Sequence, residues 1–221
     1  MYDITQRTAT SSLLATHKVL RNTYLLLAMT LLFSGFMAGL AMYFNLPSFG
    51  SIITLIGYFA LLYLTHLYSH RALGLVFVFA LTGFMGLTLG PLVNLYLKVF
   101  SNGSQLIMLA LSGTGIIFVG LSMYALISRK DFSFMAGFLM VGILVGFLAS
   151  IGAMIFSIPG LSLAVSAMFI LLMSGMILYQ TSEIIHGGET NYILATVSLY
   201  VSLYNLFLSL LQILGVFGGD D

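Results

Sequence analysis

The chain has 221 residues, of which 60% are hydrophobic and 6% charged, with a net charge of +1 and a mean hydropathy of +1.12. A soluble domain carries roughly 25% charged residues, so this composition excludes one and points to an all-α integral membrane protein. The scattered basic residues make no nucleic-acid patch, and the absence of cysteine removes disulfides, thiolate nucleophiles and thiolate metal sites.

Residues 1–22, MYDITQRTATSSLLATHKVLRN, form a polar amino-terminal tail. Its Thr and Ser content predicts a mobile segment with a short helix from Leu13 into the first span. No cleaved signal is expected, because the first apolar run is longer than the roughly 7–15 residues of a signal core. The tail reads either as a solvated leader whose charges fix topology or as a handle for a cytoplasmic partner.

A membrane domain follows over residues 23–217. Apolar runs fall near 23–43, 50–69, 72–97, 104–128, 132–156, 161–182 and 191–216. Each is long enough to cross about 30 Å of hydrocarbon at ~1.5 Å per residue, which predicts seven transmembrane helices. Residues 218–221 remain as a short carboxy-terminal tail. Arg7, Lys18, Arg21, Arg71, Arg129 and Lys130 fall on one side of this arrangement and only Lys98 on the other. Positive residues stay cytoplasmic, so the amino terminus is expected in the cytoplasm and the carboxy terminus in the periplasm. The alternative is six spans with a re-entrant final segment, which leaves both termini cytoplasmic.

Gly35/Gly39, Gly86/Gly90 and Gly142/Gly146 are G-x-x-x-G pairs inside spans and mark close helix packing. Catalytic motifs are missing. No H-E-x-x-H, phosphate loop or nucleotide fingerprint occurs, and Ser112-Gly113 has no mid-span histidine to serve as its base. No enzyme activity, cofactor or metal is therefore expected. His66 and His70 are four apart, and Glu183 and His186 three apart, at the ends of the second and sixth spans, with Glu189 following. Those spacings share a helix face. They read either as membrane-surface residues or as a cytoplasmic metal-binding or proton-sensing cluster.

The last span carries the most information. Asn191, Ala195, Ser198, Ser202, Asn205, Ser209 and Gln212 advance alternately by four and three residues, drawing one polar or small-residue line along a helix. Polar groups in lipid turn toward protein or water, so this helix belongs in the interior. The line either bonds neighbouring helices together or borders a water-filled path. Ion paths generally hold Asp, Glu, Lys or Arg within the membrane, and none lies near mid-membrane here. Calcium also prefers about 6–8 oxygen ligands with carboxylates among them.

Ser12–Tyr24 (SLLATHKVLRNTY), Thr82-Gly83-Phe84 with Leu89-Gly90-Pro91, Arg129–Phe134 (RKDFSF) and Ile184–Asn205 (IIHGGETNYILATVSLYVSLYN) carry a resemblance. Through them the whole chain resembles the Bax inhibitor 1 family of seven-span membrane proteins. The resemblance implies six helices packed around a central seventh. For the bacterial branch it also implies an inner-membrane regulator whose partners are the lipid bilayer and the membrane-anchored ATP-dependent protease FtsH. Family members that leak calcium in a pH-dependent way carry two facing aspartates, one late in the sixth span and one midway along the seventh. The matching positions here are Gln180 and Ser202. Neither residue changes charge with pH or offers a carboxylate, so a bond between them in place of the leak is the expectation.

Overall fold

The computed structural model describes the backbone of residues 2–219 and the side chains of residues 16–219. An apolar chain in hydrocarbon satisfies its backbone polar groups internally, and every long apolar run is helical. The helices are α1 (Tyr2–Tyr43), α2 (Ser51–Leu67), α3 (Ala72–Val99), α4 (Gly103–Ser128), α5 (Ala136–Ile155), α6 (Pro159–His186) and α7 (Tyr192–Gly218). One 3-10 turn, Ser133–Met135, leads into α5.

The sequence expectations need correction at two places. Instead of beginning at Leu13, α1 is one helix from Tyr2 to Tyr43. Because the apolar run begins near residue 23, residues 2–22 carry the same helix ~30 Å ahead of it at ~1.5 Å per residue. The second expected span is shorter than the run over 50–69: α2 has 17 residues and ends at Leu67. The turn Tyr68–Arg71 begins before His70, so His66 and His70 do not share a helix face. In contrast, α7 runs unbroken for 27 residues, long enough to cross the bilayer and unlike a re-entrant loop.

The central place belongs to α7. Of its apolar window 61% is buried, against 17–39% in the other long spans. Helices α1, α3, α4 and α6 pack directly on it, while α2 leans on α3 and α5 on α6. Six helices thus surround a seventh, with the two outermost set back from it. Leu199, Tyr200 and Leu206 of α7 meet Leu27 of α1, Leu81 of α3 and Ile177 of α6 in the core, and Leu211 packs with Leu106 and Ala110 of α4 in a second cluster.

Of the three glycine pairs, only Gly86/Gly90 brings backbones together. A Cβ on Gly86 would strike the Ser34 carbonyl oxygen, and one on Gly90 would lie 2.7 Å from the Ala38 carbonyl oxygen. The same level holds a three-helix joint. Ser34 Oγ of α1 lies 2.6 Å from Tyr200 Oη of α7, which donates to the Thr82 carbonyl of α3 at 3.3 Å. Tyr200 is 1% exposed, so each of its polar contacts replaces water. Gly142/Gly146 instead face Leu172, Met168 and Phe169 side chains of α6, and Gly35/Gly39 face open space.

Candidate functional site

The α6–α7 connection sets the position of the polar line. Gly187 adopts φ 78° after the last turn of α6. Gly188 N–H then donates to the Glu183 carbonyl at 2.8 Å and Gly187 N–H to that of Ile184 at 3.3 Å, a glycine cap that closes the helix. Two residues on, Glu189 Oε1 accepts from Asn191 N–H at 2.7 Å. Asn191 Oδ1 caps α7 by accepting from Ile193 N–H at 2.9 Å, and its amide donates to the Ser69 carbonyl at 3.1 Å. The first residue of the line is thus a helix cap that also pins the α2–α3 turn.

At the other end, Gln212 donates to Ser162 Oγ at 2.5 Å and accepts from Ser166 Oγ at 2.7 Å, a two-pronged clamp on α6. Between these anchors, Ser202 Oγ lies 2.9 Å from the Ser198 carbonyl and 3.4 Å from Gln180 Oε1. Gln180 and Ser202 therefore face each other across α6 and α7. Asn205 donates back to the Val201 carbonyl at 2.8 Å, and Ser209 is buried.

Because α2 and α5 stand back from α7, a cleft of about 1210 Å³ lies between them with α7 as its floor. Leu55, Tyr58 and Phe59 of α2 form one wall; Met140, Leu144 and Phe147 of α5 form the other. Phe59 and Phe147 meet edge to face, centroids 6.1 Å apart, across it. Ser198, Ser202, Asn205 and Gln180 lie on the floor. Ser48–Ser51 border one end, and Thr65, His66 and Glu189 border the other. The middle of the polar line borders this space, while its two ends hold the bundle.

The five titratable residues of the suggested cluster separate. His66 and Glu189 border the cleft, whereas His70 borders a smaller pocket with Arg71 and Asn191. His186 turns away from both. Its ring nitrogens lie 2.9 Å from the Ser182 carbonyl and 3.2 Å from the Arg129 carbonyl, tying the α4–α5 connection to α6. Glu183 serves the cap, its carboxylate beside Gly188. Among the described residues no three His, Asp or Glu side chains stand where they would hold a metal ion.

Several participants gave no sequence signal. Ser182 Oγ accepts from Phe132 N–H at 3.0 Å and donates to the Lys130 carbonyl at 3.2 Å, fixing the α4–α5 connection. Asp131 in that connection accepts from Ser133 N–H at 2.8 Å. Its carboxyl is held below the usual range, first by the backbone and side-chain hydrogen bonds of Ser133 and then by nearby His186. Thr88 and Tyr204, whose oxygens are 3.2 Å apart, join α3 to α7 beside the cleft.

Comparison with known proteins identifies the family. Residues 16–219 match the family described as inhibitor of apoptosis-promoting Bax1. An uncharacterized protein of Pseudomonas aeruginosa is 55% identical over 203 residues, covering 92% of this chain and 91% of that one. The modulator of FtsH protease YccA of Escherichia coli is 51% identical over 210 residues, 95% of each chain. An uncharacterized membrane protein of Vibrio cholerae is 42% identical over 218 residues, 97% of each. A multi-pass bundle with its polar line turned inward and a match that runs from Thr16 to Gly219 place this chain in the Bax inhibitor 1 family.

Proposed function

We propose that this protein is a non-enzymatic regulator in the bacterial inner membrane that binds the protease FtsH and restrains its action on membrane substrates. The observation that carries the reading is 51% identity along 95% of both chains to the Escherichia coli protein named for modulating that protease. The same relative is also named an inner membrane protein, in a second strain. Physical features support it. The short connections and tight α1–α3 contact make a bundle that resists extraction, while the polar residues 2–22 continue α1 ahead of the apolar run. With Arg71, Arg129 and Lys130 on the face where α1 begins, the positive-inside rule puts that extension in the cytoplasm, within reach of a processive protease. The side chains of its first fifteen residues lie outside the described ones, so the handle rests on its position.

The test is co-purification with FtsH together with degradation of a membrane substrate in proteoliposomes. The full chain should slow degradation. A variant lacking residues 1–15 should fold equally well and lose the effect; full restraint by that variant would remove the handle from the mechanism.

A second reading, a pH-sensitive calcium or cation leak, has the cleft in its favour, since it extends from Ser51 at one end of α2 to His66 at the other. Its floor offers amide and hydroxyl oxygens only, and the acids nearest in sequence are Glu183 and Glu189 at one end. A charge at the bilayer centre costs about 2.5–3.5 kcal/mol or more, and nothing there offsets it. Liposome flux of calcium and monovalent cations across pH separates the readings, with none expected from the unmodified chain.

A further inference from the structure

The cleft between α2 and α5, at about 1210 Å³, is too large for a packing defect. Water suits the polar floor alone, because the walls are Leu, Phe and Met. The wall residues Leu55, Phe59, Met140 and Leu144 are also exposed on the lipid-facing side of their helices, so the cleft is continuous with the hydrocarbon. A flexible chain drawn from the bilayer fits these walls.

The floor and mouth add two chemical requirements. Gln180 is 8% exposed and lines the cleft. Among the described residues its carboxamide makes one hydrogen bond, to Ser202, leaving the rest of the group turned to the cleft. It lies six residues from the end of α6, ~9 Å along the helix axis. That is the depth at which the ester groups of a phospholipid meet the hydrocarbon. At the mouth stand His66 and the carboxylate of Glu189, with no Lys or Arg on the lining. An acid there attracts an ammonium group and repels a purely anionic headgroup.

From this geometry we infer that the cleft is a binding site for one glycerophospholipid with an ammonium headgroup, taken from the leaflet on the Arg71–Arg129 face. One acyl chain lies between Phe59 and Leu144, an ester carbonyl accepts from the Gln180 amide, and the ammonium sits at Glu189. This site is independent of FtsH binding, and its failure would leave that proposal untouched.

The chain has no cysteine and no tryptophan, which suits mapping by photolabelling and mass spectrometry. Phosphatidylethanolamine, phosphatidylglycerol and a free fatty acid, each with a mid-chain diazirine, would be incorporated in turn into nanodiscs containing the full chain. The expected result is phosphatidylethanolamine labelling concentrated at Leu55, Phe59, Met140 and Leu144, at least fivefold above phosphatidylglycerol or fatty acid. Gln180→Leu, which keeps the side-chain bulk, should lower that labelling about fivefold, the size of one hydrogen bond. Glu189→Gln should bring the two phospholipids level. Thermal unfolding of each variant identifies any that fail to fold, and Ser198→Leu, which narrows the floor, then takes the place of Gln180→Leu. Labels spread evenly around the exposed belt, or equal labelling by all three probes, would overturn the assignment.

Discussion

Replacing Gly86 by alanine tests the contact on which α1 and α3 close. The new Cβ would meet the Ser34 carbonyl oxygen, with Ser34 Cα at 3.0 Å, and neither atom belongs to a side chain that can swing away. Restoring an ordinary C···O separation of ~3.3 Å requires α1 to move by about 1 Å. That movement takes the 2.6 Å Ser34–Tyr200 contact beyond hydrogen-bonding distance. Overpacking costs about 1–3 kcal/mol and the lost bond about 0.6 kcal/mol or more, while alanine returns about 1 kcal/mol of helix propensity. The net is a loss of about 0.6–2.6 kcal/mol. Gly35, which faces open space on α1, is the control: alanine there should leave stability unchanged or raise it by up to ~1 kcal/mol. Reversible unfolding in mixed micelles, followed by circular dichroism, measures both. Equal effects at positions 86 and 35 would mean that the helices are not in backbone contact, and the reasoning would fail.

Tyr200→Phe removes the hydroxyl joining α1, α3 and α7 and leaves Ser34 facing an apolar ring. A loss of about 1–2 kcal/mol is expected in the same unfolding assay. Replacing Gln180 and Ser202 by aspartate puts two acids where the present pair is 3.4 Å apart, and calcium flux should appear in liposomes. Unchanged flux in folded protein would count against these positions controlling conduction. The Asp131 carboxyl is held low chiefly by Ser133, so its bond supports the α4–α5 connection at pH values above the unfolded carboxylate pKa. That support fades as pH falls through the folded value, and the protection of Ser133 N–H against hydrogen exchange, taken relative to the intrinsic rate at each pH, should fall over the same interval. Asp131→Asn, which cannot ionise, should flatten the change.

Much of the architecture was legible because hydrocarbon leaves few options. Seven apolar runs became seven helices, and the line from Asn191 to Gln212 identified the helix that is wrapped by the rest. Residues such as Leu55 and Met140 show where sequence reading stops. An apolar side chain facing a cleft and one facing lipid look alike in a hydropathy pattern, so the cleft had no signature. Nor does a serine name its partner: Ser34 and Ser182 read as ordinary residues until Tyr200 and the Lys130 carbonyl come beside them. The start of α1 was missed because Thr and Ser between residues 8 and 12 read as helix-poor, yet a helix already nucleated in the span extends at little further cost. The aspartate-position pair was placed by resemblance alone, and its mutual approach is visible only in the folded chain.

The helix that fills the middle is made after the six that surround it. While α7 is still in the ribosome, Ser34, Thr82 and Gln180 look into a gap with no hydroxyl or amide opposite them. Until the final insertion supplies Tyr200 and Ser202, those groups lack the partners they have in the complete bundle. Assembly should therefore be late and abrupt, and a chain stalled before residue 192 should remain open to the machinery that clears unfinished membrane proteins.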